Sequence, residues 1–187
     1  MKVHYRDGSM ERYISGYRLA AEHLSHRLVD VGPEQHELVY PVVFLYRHYI
    51  ELQLKSIVND GRILLCLGDG FPEHHRLREL WDLARQLMQR VVVKIHRSAG
   101  SYLSSQNMAT ISTAIADFEA IDPRALSFRY PALGNKIDCL DGGDFIEVEV
   151  LSQRMRNVSE KLTDLDLACV LLREYQDHVT RLHGSDA

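Results

Sequence analysis

Four ionisable side chains interrupt an otherwise apolar segment, FLYRHYIELQLKSIV, at residues 44–58. They are Arg47, His48, Glu51 and Lys55. At about 100° per residue on a helix, all four fall on one strip about 100° wide, and apolar side chains cover most of the remaining circumference. Glu51 is four residues from both Arg47 and Lys55, which is the spacing at which opposite charges pair on a helix.

This polar strip is open to two interpretations. A narrow solvent-facing strip would carry two weak ion pairs and do no chemistry. A strip that faces a cleft could bind a phosphate or carboxylate through Arg47 and Lys55. In that case His48 could exchange protons near neutral pH, while Glu51 orients or neutralises its neighbours. Residue types and spacing leave both interpretations open. The four residues share one strip and act as a unit, so the strip is either an internal ion-pair clamp that holds the bundle or a ligand site; the clamp, with ligand contact at its edge, is slightly favoured.

Apolar side chains at helical spacing predict the elements that position the strip. Five helices are expected: 9–29 with Ser9 as N-cap, one with Pro41 in its first turn, one beginning at Pro72, 104–121, and 151–182. The NDG sequence at 59–61 is expected to end the second helix. The state of the following GRILLCLGDG stretch is ambiguous from the pattern.

The residues between the last two helices have a different period. ALSFRYP and FIEVEV alternate or are rich in β-formers, and GNK and DGGD lie between them. This pattern predicts a small β-hairpin near 126–149 that packs on the helices, because a lone hairpin is marginal in water. The expected fold is therefore mainly α, a four- to five-helix bundle with a hairpin insertion, and residues 1–187 are expected to form a single domain.

The last predicted helix carries the clearest periodicity in the chain. Its apolar positions step by three and four residues: Met155, Val158, Leu162, Leu165, Cys169, Leu172, Tyr175, Val179 and Leu182. This nearly heptad stripe is typical of the longest helix of a bundle or of a homodimer seam. The bundle is the favoured interpretation, because the other helices also need a partner face.

Composition predicts an ordinary globular protein in a reducing compartment. The chain is 45% hydrophobic and 26% charged, and its net charge of −4 provides no overall field that attracts nucleic acid. The N-terminus is too polar for a signal peptide, and no apolar run approaches the roughly 18 residues of a membrane span. Three separated cysteines without a CxxC favour the cytoplasm. We expect no membrane association, no metal site and no cofactor.

Three motifs in order resemble a bacterial family of HEPN-like helical proteins. They are LYRHYIELQLK, HRLRELWDLA and LSFRYP, which match R-H-x-x-E-L-x-L-K, H-x-L-x-x-L-W and F-R-Y-P over about residues 40 to 131. The resemblance implies a helical bundle and a defence or toxin–antitoxin setting. Many such proteins are metal-independent ribonucleases that act as dimers, whereas others bind nucleotides, RNA or protein partners without catalysis.

The resemblance also assigns expected roles to single residues. His75 matches the histidine of the second motif. It could approach the strip on the preceding helix, since consecutive elements are usually neighbours, but a helix-start residue in solvent is the slightly favoured interpretation. Arg129 of the third motif is expected to form an ion pair with Glu51 or to contact a ligand. Ribonuclease members carry R-x4-6-H late in the bundle, and Arg173 and His178 match it as REYQDH.

The R-x4-H match alone is weakly informative. With 17 Arg and 10 His in 187 residues, about one such spacing is expected by chance, and two occur. Arg173 and His178 also lie about 140° apart on a helix, so they converge only across a dimer or a distorted turn. If they are catalytic, histidine moves protons and arginine stabilises the phosphorane charge.

Two functional hypotheses follow. The first is an RNA-cleaving or RNA-binding HEPN-like protein, a homodimer with a cognate antitoxin as partner. The second is a non-catalytic module that binds a nucleotide, a small anionic ligand or a protein through the strip. Resemblance of fold does not decide between them, because function resides in the site.

Overall fold

The computed structural model describes residues 9–95, 104–122, 128–129, 132–133, 137–138 and 146–184. Its helices are α1 (Met10–Val31), α2 (Val39–Leu64), α3 (Leu77–Ile95), α4 (Ser105–Ile121) and α5 (Val148–Gly184), with a 3-10 segment, Gly32–Leu38, between α1 and α2. The predicted mainly helical bundle is confirmed. In this described part of the chain, every helix is too short or too polar to cross a membrane.

Helix α2 is the centre of the bundle and packs against α1, α3 and α5. Its apolar circumference is buried almost completely, as the inverted pattern of the sequence requires. The fully buried apolar side chains of α2 are Val42, Val43, Tyr46, Tyr49, Ile50, Leu54, Ile57, Val58 and Leu64. The core is one continuous cluster, so any polar group on α2 lies next to it.

The helix boundaries around the α2–α3 connection (65–76) differ from the prediction. Helix α2 runs through the NDG sequence, because Asp60 accepts a hydrogen bond from Arg173 of α5 and Gly61 packs closely on α3. A Cβ on Gly61 would lie 3.1 Å from the Cβ of Leu87. Tertiary contacts thus outweigh the local stop signal. Helix α3 begins at Leu77, five residues after Pro72.

The α2–α3 connection folds back along α2. Cys66, Gly68 and Gly70 have positive φ angles of 58°, 83° and 94°, a region that suits glycine and is uncommon for cysteine. The backbone N–H of Gly70 donates to Oδ1 of Asn59 at 2.7 Å. The connection is therefore attached to α2 by hydrogen bonds, and this brings its last residues to the polar strip.

Helices α4 and α5 close the bundle with polar contacts at its surface. Ser104 caps α4 by accepting a hydrogen bond from the N–H of Asn107 at 3.2 Å. The Trp81 indole of α3 donates to Oγ of Ser112 at 2.9 Å. Arg154 of α5 pairs with Asp117 of α4 at 2.6 Å. The predicted α4, including its end before Pro123, agrees with the structure.

The predicted β-hairpin near 126–149 is not supported. The described residues there hold only a two-residue antiparallel pairing, β1 (Ala132–Leu133) with β2 (Ile137–Asp138). The proposed strand FIEVEV instead leads into α5, which begins at Val148. The alternation of apolar and acidic residues in this segment resembles a strand. Glu149, however, lies in the first turn of α5, where the helix dipole favours an acidic side chain. The remaining residues of the segment lie outside the described ones.

The stripe on α5 is divided between two environments. Met155, Val158, Leu162, Leu165 and Cys169 are all buried in the bundle. Farther along, Leu172 is half-buried and Tyr175 is exposed, and the side chains of Val179 and Leu182 lie outside the described ones. The first part of the stripe therefore packs within one chain, as the favoured interpretation holds.

Candidate functional site

The polar strip of α2 is buried. Relative exposure is 3% for Arg47, 3% for Glu51 and 6% for Lys55. A solvent-facing strip is thus excluded for these three residues, because the α2–α3 connection covers them. Charged side chains are almost never fully buried without partners, so the question becomes which groups compensate them.

The Glu51 carboxylate is the centre of the compensation. Its Oε1 lies 2.9 Å from Nζ of Lys55 and 2.7 Å from Nδ1 of His75. Its Oε2 lies 3.8 Å from Nη1 of Arg47 and 3.9 Å from Nδ1 of His48. We call these five residues the Glu51 cluster. His75 therefore lies against the strip, which corrects the slightly favoured interpretation of His75 as a helix-start residue in solvent alone.

Glu51 is strongly biased towards its ionised form. Burial acts to raise the pKa of its carboxyl group, but the interactions with His48, Lys55 and His75 outweigh burial. The pKa of Glu51 is consequently well below its usual range. The carboxylate is therefore a permanent negative charge at neutral pH, and it balances part of the positive charge around it.

Arg47 joins α2 to the α2–α3 connection. Its Nη2 donates a hydrogen bond to the backbone carbonyl of His75 at 3.0 Å. Burial lowers its pKa, and the negative charges of Asp122, Glu51 and Glu119 oppose that shift. Arginine stays protonated at working pH in any case. This residue therefore acts as a buried cation that holds the chain segment carrying His75.

His75 and Lys55 lie on the outer and inner sides of the same carboxylate oxygen. The His75 side chain is 60% exposed although its Nδ1 is bonded to Glu51. Nζ of Lys55 lies 5.4 Å from the centroid of the Phe71 ring, a cation–π contact that covers the buried ammonium. His75 thus presents its ring to solvent, while Lys55 does not take part in the surface.

His48 lies between two aromatic rings. Its ring makes a T-shaped contact with the ring of Tyr17, with the two ring centroids 4.4 Å apart. On the other side it stacks with Phe44 at 5.8 Å and an interplanar angle of 7°. Its side chain is 26% exposed, so the ring is held in place but reachable from solvent.

Arg129 lies on the aromatic part of the same surface. Its guanidinium carbon is 5.7 Å from the centroid of the Phe44 ring. The contacts described for the Glu51 carboxylate are with the other cluster members, so the ion pair between Arg129 and Glu51 stays a prediction beside the alternative of a ligand contact. Arg129 is exposed, and its positive charge reaches as far as Arg47.

These groups form a continuous surface that we call the aromatic–cationic edge. It consists of Tyr40, Phe44, His48, His75 and Arg129. The first three recur every four residues on α2 and therefore share one face of the helix. Sequence reasoning missed the aromatic part of this edge, although the i, i+4 spacing of Tyr40, Phe44 and His48 was a signal that could have revealed it.

Arg173 and His178 occupy the opposite end of the bundle from this edge. Nη1 of Arg173 donates to Oδ1 of Asp60 at 2.9 Å, and this carboxylate is largely buried. His178 is exposed farther along α5. The two residues do not converge within one chain, so their catalytic role stays a prediction that requires a second copy.

The described residues contain no group of three or more His, Cys, Asp or Glu side chains arranged to hold a metal ion. No protein-family model, curated protein or solved structure matches this chain. The resemblance to HEPN-like proteins therefore remains a prediction from the three sequence motifs.

Proposed function

We propose that this chain is a HEPN-like helical protein that binds RNA at the aromatic–cationic edge, in a defence or toxin–antitoxin type system of the cytoplasm. The observation that carries the proposal is the arrangement of exposed cationic and aromatic groups over a buried charge cluster. His75 is attached to Glu51, His48 is held between Tyr17 and Phe44, and Arg129 lies over Phe44.

This arrangement suits a nucleic acid for two reasons. Single-stranded RNA is recognised mainly by stacking of unpaired bases on aromatic rings and arginine planes, and exposed Tyr40 and Arg129 offer both. Arginine and protonated histidine bind phosphate oxygens through charge-assisted hydrogen bonds. The overall charge of −4 means that this local patch, and no general electrostatic field, must supply the affinity.

The size of the edge sets the expected length of RNA. From Tyr40 to His48 the helix rises about 12 Å, which spans only a few nucleotides. A site of this size contacts about two phosphates, so the logarithm of affinity should fall with the logarithm of salt with a slope of about −1 to −2. The short length also favours the second candidate, a nucleotide or small anionic ligand bound without catalysis.

Binding can be measured by fluorescence anisotropy of a 5′-labelled single-stranded RNA in EDTA. Arg129→Ala and Tyr40→Ala should each weaken binding at least about fivefold, because stacking on one aromatic or arginine face contributes about 1–3 kcal/mol. Arg156→Ala is the matched control, since Arg156 is an exposed arginine of α5 that hydrogen-bonds Gln153. Its affinity should equal that of the unmodified protein.

The outcomes separate the two candidates. Competition by mononucleotides at the same concentration as RNA would move the assignment to a nucleotide site. Failure of RNA and nucleotides to bind at low salt, or an equal loss of affinity in Arg156→Ala, would refute both forms of the proposal.

The proposal includes a homodimer, as in the resembled family, and a cognate antitoxin that covers the edge. For the dimer, α5 offers apolar side chains beyond the part that packs inside the bundle. The exposed ones are Leu167, Val170, Leu171 and Tyr175. Light scattering should give twice the chain mass at micromolar concentration. A monomer under those conditions would refute the dimer without affecting the RNA proposal.

A further inference from the structure

A polar cleft of about 440 Å³ lies between α1 and α5. Helix α1 contributes Arg18 and Glu22 to its walls, and the residues that α5 contributes are also polar or charged. None of the lining residues belongs to the aromatic–cationic edge or to the Glu51 cluster. Ligand sites commonly measure about 300–1,000 Å³, so this cleft has the size of a site for a small molecule.

The floor of the cleft is the hydroxyl group of Tyr49 on α2. Tyr49 is 1% exposed, and its hydroxyl has no hydrogen-bond partner among the described residues. Burial raises the pKa of Tyr49, and Ser159, Arg18 and Thr163 oppose that shift because they lie close to the hydroxyl. All three of these neighbours line the cleft, so the hydroxyl points into it. A buried hydroxyl without a partner costs free energy, which a bound polar group at the floor would recover.

Helix α5 presents two rows of side chains to the cleft. Ser159 and Thr163 are four residues apart, and Arg156, Glu160 and Asp164 follow the same spacing, so each row lies on one face of the helix. Ser159 is buried, whereas Glu160 is exposed. The cleft therefore has hydroxyl groups on its inner side and charged groups at its mouth.

The charges that line the cleft have both signs. Arg18 pairs with Glu22 at 2.8 Å, and Arg156 donates to a neutral glutamine side chain. Glu160 and Asp164 add two further carboxylates. A purely anionic ligand would face these carboxylates, and a purely cationic one would face the arginines. A zwitterion, in contrast, has an oppositely charged partner for each of its own charges.

We propose that this cleft binds a free α-amino acid. The carboxylate of the amino acid accepts hydrogen bonds from the Tyr49 hydroxyl and from Arg18, which keeps further N–H donors beside the one that pairs with Glu22. The ammonium group donates to Glu160 and Asp164 at the mouth. This site is independent of RNA binding, because it uses different residues.

The first experiment identifies the amino acid. Ligand-observed saturation-transfer NMR is recorded on the full chain with an equimolar mixture of the standard amino acids. Each amino acid that receives saturation is then titrated by isothermal calorimetry, and at least one should bind with a Kd below about 1 mM. Its N-acetyl derivative, which lacks the ammonium charge, and its amide, which lacks the carboxylate, should each bind at least about tenfold more weakly.

Tyr49→Phe tests the floor of the cleft. The loss of one hydrogen bond to the carboxylate should weaken binding of the amino acid at least about fivefold. Tyr46→Phe is the matched control, since Tyr46 is another buried tyrosine of α2 and its hydroxyl lies 3.1 Å from Oγ of Ser25. Its affinity for the amino acid should equal that of the wild type, and circular dichroism checks that both variants fold.

The double variant Glu160→Gln/Asp164→Asn tests the mouth of the cleft and leaves the core unchanged. It should bind the amino acid at least about tenfold more weakly. It should bind the N-acetyl derivative as the wild type does, because that derivative has no ammonium group to lose a partner. A general structural effect would instead lower both affinities equally. If Tyr49→Phe does not fold, the double variant decides the question alone.

Four outcomes would overturn the inference. They are failure of every amino acid to bind, equal affinity for the amino acid and its two derivatives, unchanged affinity in both Tyr49→Phe and the double variant, and tighter binding of putrescine or inorganic phosphate than of any amino acid. None of these outcomes affects the proposal of RNA binding, whose variants lie at the aromatic–cationic edge.

Discussion

Two buried carboxylates of α2, Glu51 and Asp60, lie nine residues apart and meet opposite surroundings. Glu51 has two permanent cations, Arg47 and Lys55, and two histidine rings within 4 Å. Asp60 has one described ion pair, with Arg173, whose side chain is 46% exposed. The neighbouring Asp166 adds a second acid, because the charge of Asp60 acts on it. The surroundings of α2 are therefore rich in cations around Glu51 and rich in acids around Asp60.

The difference shows that burial alone does not set the charge state of a carboxylate. Burial acts in the same direction on Glu51 and Asp166, since it favours the neutral acid. Contacts with His48, Lys55 and His75 reverse this effect and lower the pKa of Glu51. At Asp166, burial and then the charge of Asp60 both raise the pKa. Ion-pair partners therefore decide whether the pKa of a desolvated acid falls or rises.

The largest expected effect is the loss of the Glu51 charge. Glu51→Gln preserves the shape but leaves Arg47 and Lys55 buried without their counter-charge, and this should lower the free energy of unfolding by about 3–5 kcal/mol. Urea denaturation followed by circular dichroism measures the change. Glu79→Gln is the control, because Glu79 forms an exposed pair with Arg76 at 2.6 Å. Glu79→Gln should lower the free energy of unfolding by less than about 1 kcal/mol. Equal decreases in the two variants would contradict the difference between the buried and the exposed ion pair.

The Glu51 contribution should also depend on pH. Because the folded-state pKa of Glu51 lies below the unfolded value, its stabilisation is fully present above the unfolded pKa of about 4.3 and is lost as the pH falls below it. The difference in unfolding free energy between wild type and Glu51→Gln should therefore be constant from pH 7 to 5 and shrink towards pH 3. A constant difference down to pH 3 would refute the cause given for the low pKa.

Around Asp60, removal of the single cation should cost less. Arg173→Leu leaves Asp60 next to Asp166 without its arginine partner, and the expected loss is about 1–2 kcal/mol. The half-exposed arginine allows water to replace part of the contact. Arg181→Leu, an exposed arginine of the same helix, should change stability little. Adding Asp60→Asn to Arg173→Leu should recover part of the loss, and no recovery would argue against charge repulsion.

Removal of the second acid should stabilise the protein slightly. Asp166→Asn should raise the free energy of unfolding at pH 7 by about 0.5–1 kcal/mol, in the range of surface-charge optimisation. The folded-state pKa of Asp166 is raised, so wild type loses stability as the pH rises through the unfolded value of about 3.9. The gain should therefore appear at pH 7 and vanish at pH 3. A decrease at pH 7 would show that Asp166 makes a stabilising contact.

The smallest expected effect is on the reactivity of Cys169. Burial raises the pKa of its thiol, and the charges of Asp60 and Asp166 raise it further. Thiolate is the reactive form, so Cys169 should resist alkylation in the folded protein, whereas exposed Cys66 should react. Mass spectrometry of a Cys139→Ser variant after iodoacetamide treatment measures both sites. Equal reaction of the two cysteines would contradict burial of Cys169.

Local pattern was sufficient for much of the fold. Helical periodicity located the five helices of the described residues, and Pro123 gave the end of α4, because these signals depend only on neighbouring residues. The failures were at NDG, Pro72 and FIEVEV. At NDG a local signal competed with packing, because Gly61 fits closely against Leu87 and α2 continues through the turn sequence.

For the candidate site, the sequence by itself determined that Arg47, His48, Glu51 and Lys55 share one strip, since helix geometry requires it. Only the tertiary structure decided that three of them are buried, that His75 completes the carboxylate contacts and that Arg129 lies over Phe44. Burial and long-range pairing depend on how the α2–α3 connection folds back over α2. No spacing within one helix contains that information.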